Sequence, residues 1–272
     1  MGDSVKKASE AFALDAKIMA EINNSHNSIN SLFNHVIFFI HGVENDGTIP
    51  NTLVKSLEKN LSNCIVKPLS YGSLYYPNCI SSNKRKKVIS RFLRDNRVVI
   101  ENLNIKVSFI CHSCGTQIFS EIISSLRIPF LKHVIFCGSI VNRRYDFNKN
   151  IFSSNKNAQL INECGSKDYI PSIAASITHK NLFDSSGSSK GFTSGLSNVI
   201  DRHHNCGHND FFKEEFIERF WVPIFESNHI VYDSDYKPNR KRAILQKWIE
   251  RINLHRSWSI ILLVATLIIY FY

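Results

Sequence analysis

The chain is poor in several features that would mark a specialised class. Its 272 residues hold only 11 Gly and 7 Pro, without periodicity, so collagen-like and low-complexity architectures are excluded. No internal repeat is visible, which removes solenoids and propellers. The first residues, MGDSVKKASEAFALDAKIMAEI, contain no apolar core and do not form a secretory signal. They begin Met-Gly, but position 6 is Lys rather than Ser or Thr, so the myristoylation pattern fails. Cysteine is present, but as an odd count of 7 with several members inside apolar runs. Reduced cytosolic thiols are therefore expected rather than a secreted disulfide framework. Long runs that are both uncharged and predominantly apolar are missing too, except at the C-terminus.

That exception is WSIILLVATLIIYFY, Trp258 to Tyr272, which carries no charge. At 1.5 Å per residue it spans about 22 Å, short of the ~30 Å hydrocarbon core. Just upstream, KPNRKRAILQKWIERINLHRS holds seven Lys/Arg against one Glu, much of the formal net charge of +10. Ile244, Leu245, Trp248, Ile249 and Ile252 share one helical face, with Arg240, Lys241, Arg242, Lys247 and Arg251 on much of the rest. A basic block beside an apolar segment predicts a single-pass C-terminal anchor with the preceding domain in the cytoplasm. The short span must thin the bilayer, draw Arg256 to the headgroups or oligomerise through the tail. No nucleic-acid motif accompanies the charge, so the expected partner is the lipid of an anionic leaflet, not nucleic acid. A docked core helix is the competing reading of the tail. The expected organisation is an amphipathic N-terminal helix over 1–30, a folded domain over 31–236, a basic linker helix over 237–256 and a membrane anchor over 257–272.

The body is 43% hydrophobic and 21% charged over the whole chain, ordinary for a globular protein with a sizeable core. Strand-like runs alternate with helical spacing. HVIFFI (35–40), CIVKPLSY (64–71), IKVSFI (105–110), HVIFC (133–137), NAQLINE (157–163) and SNVIDR (197–202) read as strands. NTLVKSLEKNL (51–61), a basic segment over 84–103, the stretch through Leu126 and NDFFKEEFIERFW (209–221) read as helices. Segments 138–156 and 182–196 read as loops. Continuous apolar strands between helices predict an α/β fold, a mostly parallel sheet covered on both faces.

Candidate chemistry collects at VSFICHSCGTQIFSEII (107–123). Ser113 falls between a strand and a helix, where active sites of open α/β sheets lie. The turn reads Cys111-His112-Ser113-Cys114-Gly115, close to G-x-S-x-G with Cys for the first Gly. Small flanking residues let strand and helix approach, and the N–H of Cys114 stands at a helix N-terminus where it can hold an oxyanion. An acid and a base then follow in the required order. Asp168 comes just after a strand, in CGSKDYIPSIA, and His208 stands before a helix, in HNCGHNDFF. Upstream, FFIHGVENDG ends the first strand with His41-Gly42, which resembles a His-Gly oxyanion loop; that resemblance implies the N–H of Val43 as a second oxyanion donor and His41 as a structural support of the loop.

These four pieces resemble the α/β-hydrolase superfamily, its lipase and serine-esterase branches, and are similar to the GPI-inositol-deacylase-like serine esterases. The likeness covers residues ~33–225. It implies an α/β-hydrolase fold with little or no cap domain. It also implies Ser113 as nucleophile, His208 as general base, Asp168 as its orienter, and an acyl-enzyme that needs no metal or organic cofactor.

A structural role competes at each position. Ser113 suits a helix N-cap, Asp168 a cap of the next helix, and Glu163 and Asp146 are substitute acids. His203 and His204 compete with His208, and His112 either points away from the nucleophile or lines the acyl site. Three other functions stay open. Cys111 and Cys114 have redox spacing after a strand. His203, His204, Cys206 and His208 form a ligand-rich cluster. A membrane adaptor that kept the fold and lost the activity is the third. About twenty residues separate the strand ending at Cys137 from the next, too few for a cap. Tyr71, Tyr75, Tyr76 and Phe183 then offer an apolar wall, and an open site predicts a lipid or acylated-protein substrate at a membrane.

Overall fold

The structure is a computed structural model and describes residues 33–42, 50–69, 81–102, 104–178, 186–238 and 244. Six strands, β1 (His35–Ile40), β2 (Cys64–Pro68), β3 (Lys106–His112), β4 (Leu131–Cys137), β5 (Gln159–Gly165) and β6 (Val199–His204), form one sheet. Every pairing is parallel, in the order β2-β1-β3-β4-β5-β6. The helices are α1 (Asn51–Asn60), α2 (Ser82–Glu101), α3 (Cys114–Ser125), α4 (Ile170–Thr178) and the short α5 (Gly187–Lys190). Glu214–Phe216, the π-helical Ile217–Trp221 and Val222–Ser227 follow one another and are together called α6.

Side-chain alternation along the strands explains why they are apolar throughout. Val36, Phe38, Ile40, Val107, Phe109 and Cys111 bury on one face against Phe92 of α2 and Ile118 and Phe119 of α3. Ile37, Phe39, Ile110, Ile135 and Cys137 bury on the other, against Leu53 and Leu57 of α1 and Phe220, Trp221 and Ile224 of α6. With both faces covered, successive strand residues all meet core. Phe109 stacks with Phe38 at 5.4 Å and meets Phe119, tilted by 55°, at 4.8 Å between ring centroids, joining sheet to helix layer.

Three elements differ from the sequence reading. Residues 209–221 are not one helix. A 3₁₀ turn, Asp210–Phe212, stops at Lys213, whose backbone is extended, and α6 starts afresh. The segment 138–156 contains a π-helical turn, Asn148–Phe152, because Phe147, Ile151 and Phe152 bury in the core. Within 182–196 lies α5. No helix among the described residues is long and apolar enough to cross a membrane. The expected N-terminal helix, nearly all of the basic linker and the whole anchor lie outside the described residues, as do Val43, Tyr71, Tyr75, Tyr76 and Phe183.

Candidate active site

The carboxyl ends of the parallel strands share one edge of the sheet, and the sequence-expected residues gather there. Ser113 follows β3 directly and adopts φ 53°, a conformation rare for a residue with a Cβ. Strain of this kind, about 1–3 kcal/mol, persists where surrounding contacts enforce it. Here they do. The Ser113 N–H donates to Cys137 O at 3.0 Å, and the Thr116 hydroxyl donates to Ser113 O at 2.7 Å. Gly115 makes the sharp turn feasible, since a Cβ there would stand 2.1 Å from Ile40 O. Ser113 occupies the N-cap position of α3 yet makes no capping hydrogen bond, so the capping role does not account for it.

Asp168 and His208 come together. The His208 Nδ1–H donates to Asp168 Oδ2 at 2.8 Å, across 40 residues of sequence. The Asp168 carboxylate is fully buried, and its other oxygen accepts the Ile170 N–H at 3.1 Å at the start of α4. The two sequence readings of Asp168, helix cap and imidazole partner, are thus both satisfied, one oxygen each. The loops carrying the pair are tied together: Ser166 N–H donates to His204 O at 2.8 Å and Lys167 N–H to Cys206 O at 3.0 Å. Gly138, at φ +59°, closes the arrangement. A Cβ on it would meet His208 Cε1 at 2.7 Å and Asp168 Oδ2 at 3.1 Å. Gly138 directly follows β4, and the preceding residue, Cys137, accepts the Ser113 N–H, so both the serine turn and the imidazole are set against the carboxyl end of β4. Ser113 Oγ itself makes no hydrogen bond among the described residues.

The neighbours fall into place around this centre. The buried His41 donates from Nδ1 to Gly42 O at 2.8 Å. Gly42 lies against the serine, since a Cβ on it would be 2.8 Å from Ser113 Cβ. His112 points to the His208 side of the sheet, with its Nε2 3.0 Å from His208 O. Burial, the charge of His208 and that of His41 hold the His112 pKa well below the usual imidazole range.

The competing residues have other partners. His204 bonds Glu163 through Nε2 at 2.8 Å and Asp233 through Nδ1 at 3.3 Å, and His203 stacks on Tyr236 at 5.5 Å. Glu163 also accepts from Arg202 and from Trp221 Nε1 in the core between sheet and α6. Burial raises its carboxyl, but Arg202 and His204 outweigh that and hold it at about 2. Asp146 accepts the Lys149 N–H in the π-helical turn. Cys111 is free, fully buried, and its thiol is pushed up by burial, whereas Cys114 is disulfide-bonded. The redox pairing of Cys111 with Cys114 is therefore not formed, and the expectation of wholly reduced thiols fails at Cys114. Sequence reading missed Gly138, whose only trace was a glycine directly after an apolar strand, and the Glu163–Arg202 pair.

A six-stranded parallel sheet of this order, flanked by helices and with a strained serine between β3 and α3, fits the α/β-hydrolase fold. No protein-family profile and no curated protein matches the chain. Among solved structures it is similar to a cutinase-like protein from Cryptococcus sp., at 14% identity, TM-score 0.38, covering 68% of this chain and 89% of that one. It is also similar to a lipase-esterase related protein from Clostridium acetobutylicum, at 20% identity, TM-score 0.30, covering 42% and 44%. A YdeN-like hydrolase from Pectobacterium atrosepticum is similar at 10% identity, TM-score 0.31, covering 69% and 85%.

Proposed function

We propose that this chain is a serine hydrolase that cleaves an ester or thioester through an acyl-enzyme on Ser113. The observation that carries the reading is the 2.8 Å bond from His208 to the buried Asp168, beside a serine held at φ 53° at the strand-to-helix turn. His208 Nε2 takes the Ser113 hydroxyl proton as Oγ attacks the carbonyl carbon. The tetrahedral oxyanion is held by the N–H of Cys114 and by that of Val43. The carbon–oxygen or carbon–sulfur bond then breaks, and the imidazolium gives its proton to the leaving group. Water repeats the sequence, releasing the acid and restoring Ser113. Asp168 fixes the imidazole tautomer and stabilises the imidazolium. A serine–histidine contact that is open before substrate arrives is ordinary for such sites. No metal or organic cofactor enters this chemistry. Replacing Ser113 by Ala is expected to lower turnover by at least about 10³-fold with the circular dichroism unchanged. Undiminished hydrolysis by a clean Ser113→Ala preparation sinks the assignment.

The substrate class we favour is a lipid or acylated protein at a membrane. Its support is the uncharged run Trp258 to Tyr272 behind a basic block, and a short β4–β5 connection, residues 138–158, that holds no cap domain. The basic block favours a cytoplasmic domain, whereas a disulfide at Cys114 favours an oxidising compartment. Fractionation of the full chain beside a truncation ending at Asp235 tests the anchor. Equal carbonate extraction of both forms contradicts it. Protease protection in sealed membranes then assigns the side.

A further inference from the structure

His112 precedes the reactive serine, yet its structural partners belong to the base. Residues alternate along β3, so Ile110 and His112 face the same side, the side on which α1, α6 and the His208 loop pack. The ring is buried there, 8% exposed. Its Nε2 lies 3.0 Å from His208 O, and because a carbonyl oxygen only accepts, that nitrogen carries the proton. This is the one hydrogen bond that the His208 main chain makes among the described residues. The two imidazole rings stand 4.4 Å apart between centroids, tilted by 44°. Phe212, from the 3₁₀ turn after the base, meets the His112 ring edge-on at 5.0 Å. The unprotonated Nδ1 faces the other loop, 3.3 Å from where a Cβ of Gly42 would stand. One ring thus touches the base, the turn that follows it and the His41-Gly42 loop, while its own backbone leads into Ser113.

We propose that His112 is a positioning residue. It fixes the main chain of His208 through Nε2–H···O=C and limits the tilt of the imidazole, so that the base stays aligned with Ser113 through both proton transfers. The role requires a neutral imidazole with its proton on Nε2. A cationic His112 would stand against the imidazolium formed on His208, and burial keeps it neutral. This rests on the reading of Ser113 and His208 as nucleophile and base.

The test compares the full-length chain with His112→Phe, which keeps a ring and loses the donor, and His112→Gln, which restores a donor. A displacement of the base by about 1 Å can cost about 100-fold. His112→Phe is therefore expected to lower kcat on p-nitrophenyl butyrate by about 10–100-fold with KM little changed, and His112→Gln to recover most of the loss. Proton NMR of the histidine-labelled chain reads the same alignment without turnover. The low-field His208 Nδ1–H signal should broaden or shift in His112→Phe and return in His112→Gln. Wild-type kcat and an unmoved signal in His112→Phe overturn the proposal. Equal losses in both variants that follow only a lowered melting temperature overturn it too, since they describe packing. Absence of wild-type turnover above Ser113→Ala, with the NMR signal still responding to His112, overturns the hydrolase reading and leaves the hold on His208 in place.

Discussion

Acidification should weaken this fold through two histidines far from Ser113. His35 on β1 and His133 on β4 flank Ser108 of β3 at the amino ends of the strands, 7% and 1% exposed. Ser108 Oγ accepts the His133 N–H at 3.2 Å and lies 2.9 Å from His35 Nε2, placed to donate its proton there. Phe225 of α6 covers both rings edge-on at 5.8 Å. Burial, with Lys106 and Lys132 nearby, lowers His35 from 6.5 to about 4 and His133 to about 3. The sign follows directly. The folded state resists protonation that the unfolded chain accepts near 6.5, so the stabilisation is complete above that pH and is lost as pH falls toward the folded values. At about 1.4 kcal/mol per pH unit for each group, lowering the pH from 7 to 5 should remove about 2 kcal/mol per histidine, about 4 kcal/mol together. That is a large share of a stability that is commonly about 5–15 kcal/mol. Urea unfolding followed by circular dichroism at both pH values, for wild type and for His35→Gln/His133→Leu, isolates the effect. Other titrating groups act alike in both proteins and cancel. If the double variant loses as much stability as wild type between pH 7 and 5, the reasoning is wrong.

Two further perturbations address the site and its support. Arg202→Met leaves the buried Glu163 carboxylate without its cation and should cost about 3–5 kcal/mol in urea unfolding, while adding Glu163→Gln should recover part of the loss; a change under about 1 kcal/mol would contradict a buried ion pair here. Gly138→Ala puts a methyl group 2.7 Å from His208 Cε1 at a φ of +59°, and should lower kcat/KM about 100-fold while the protein still folds; unchanged esterase kinetics would mean that His208 is not held against this turn.

Much of the fold was legible because buried parallel strands leave little choice of residue. HVIFFI, IKVSFI and HVIFC all became central strands, β1, β3 and β4, since both faces of each meet apolar side chains. The turn at Ser113 was legible for a steric reason. Only a small residue at 115 lets α3 pass Ile40 O, so Ser-x-Gly after a strand carries structural information. His208 could be preferred over His203 and His204 by its place before a segment with helical spacing, but the decisive facts are partners. His204 is committed to Glu163 and Asp233, and that pairing joins residues 41 and 29 positions apart that no local pattern connects. The same holds for Arg202 with Glu163 and for His112 with His208. The 209–221 segment misled because its acids and aromatics have helical spacing, while the extended backbone of Lys213 divides it. Cys114 misled because an odd number of cysteines says nothing about which two meet.

The central claim is that Ser113 is an activated nucleophile. Its most direct test is mass spectrometry of the intact chain and its peptides after treatment with a fluorophosphonate. The account predicts one adduct per chain, on Ser113, with labelling abolished by Ser113→Ala and strongly slowed by His208→Gln at native circular dichroism. An unlabelled wild-type chain, or an adduct on another residue that persists in Ser113→Ala, would contradict it.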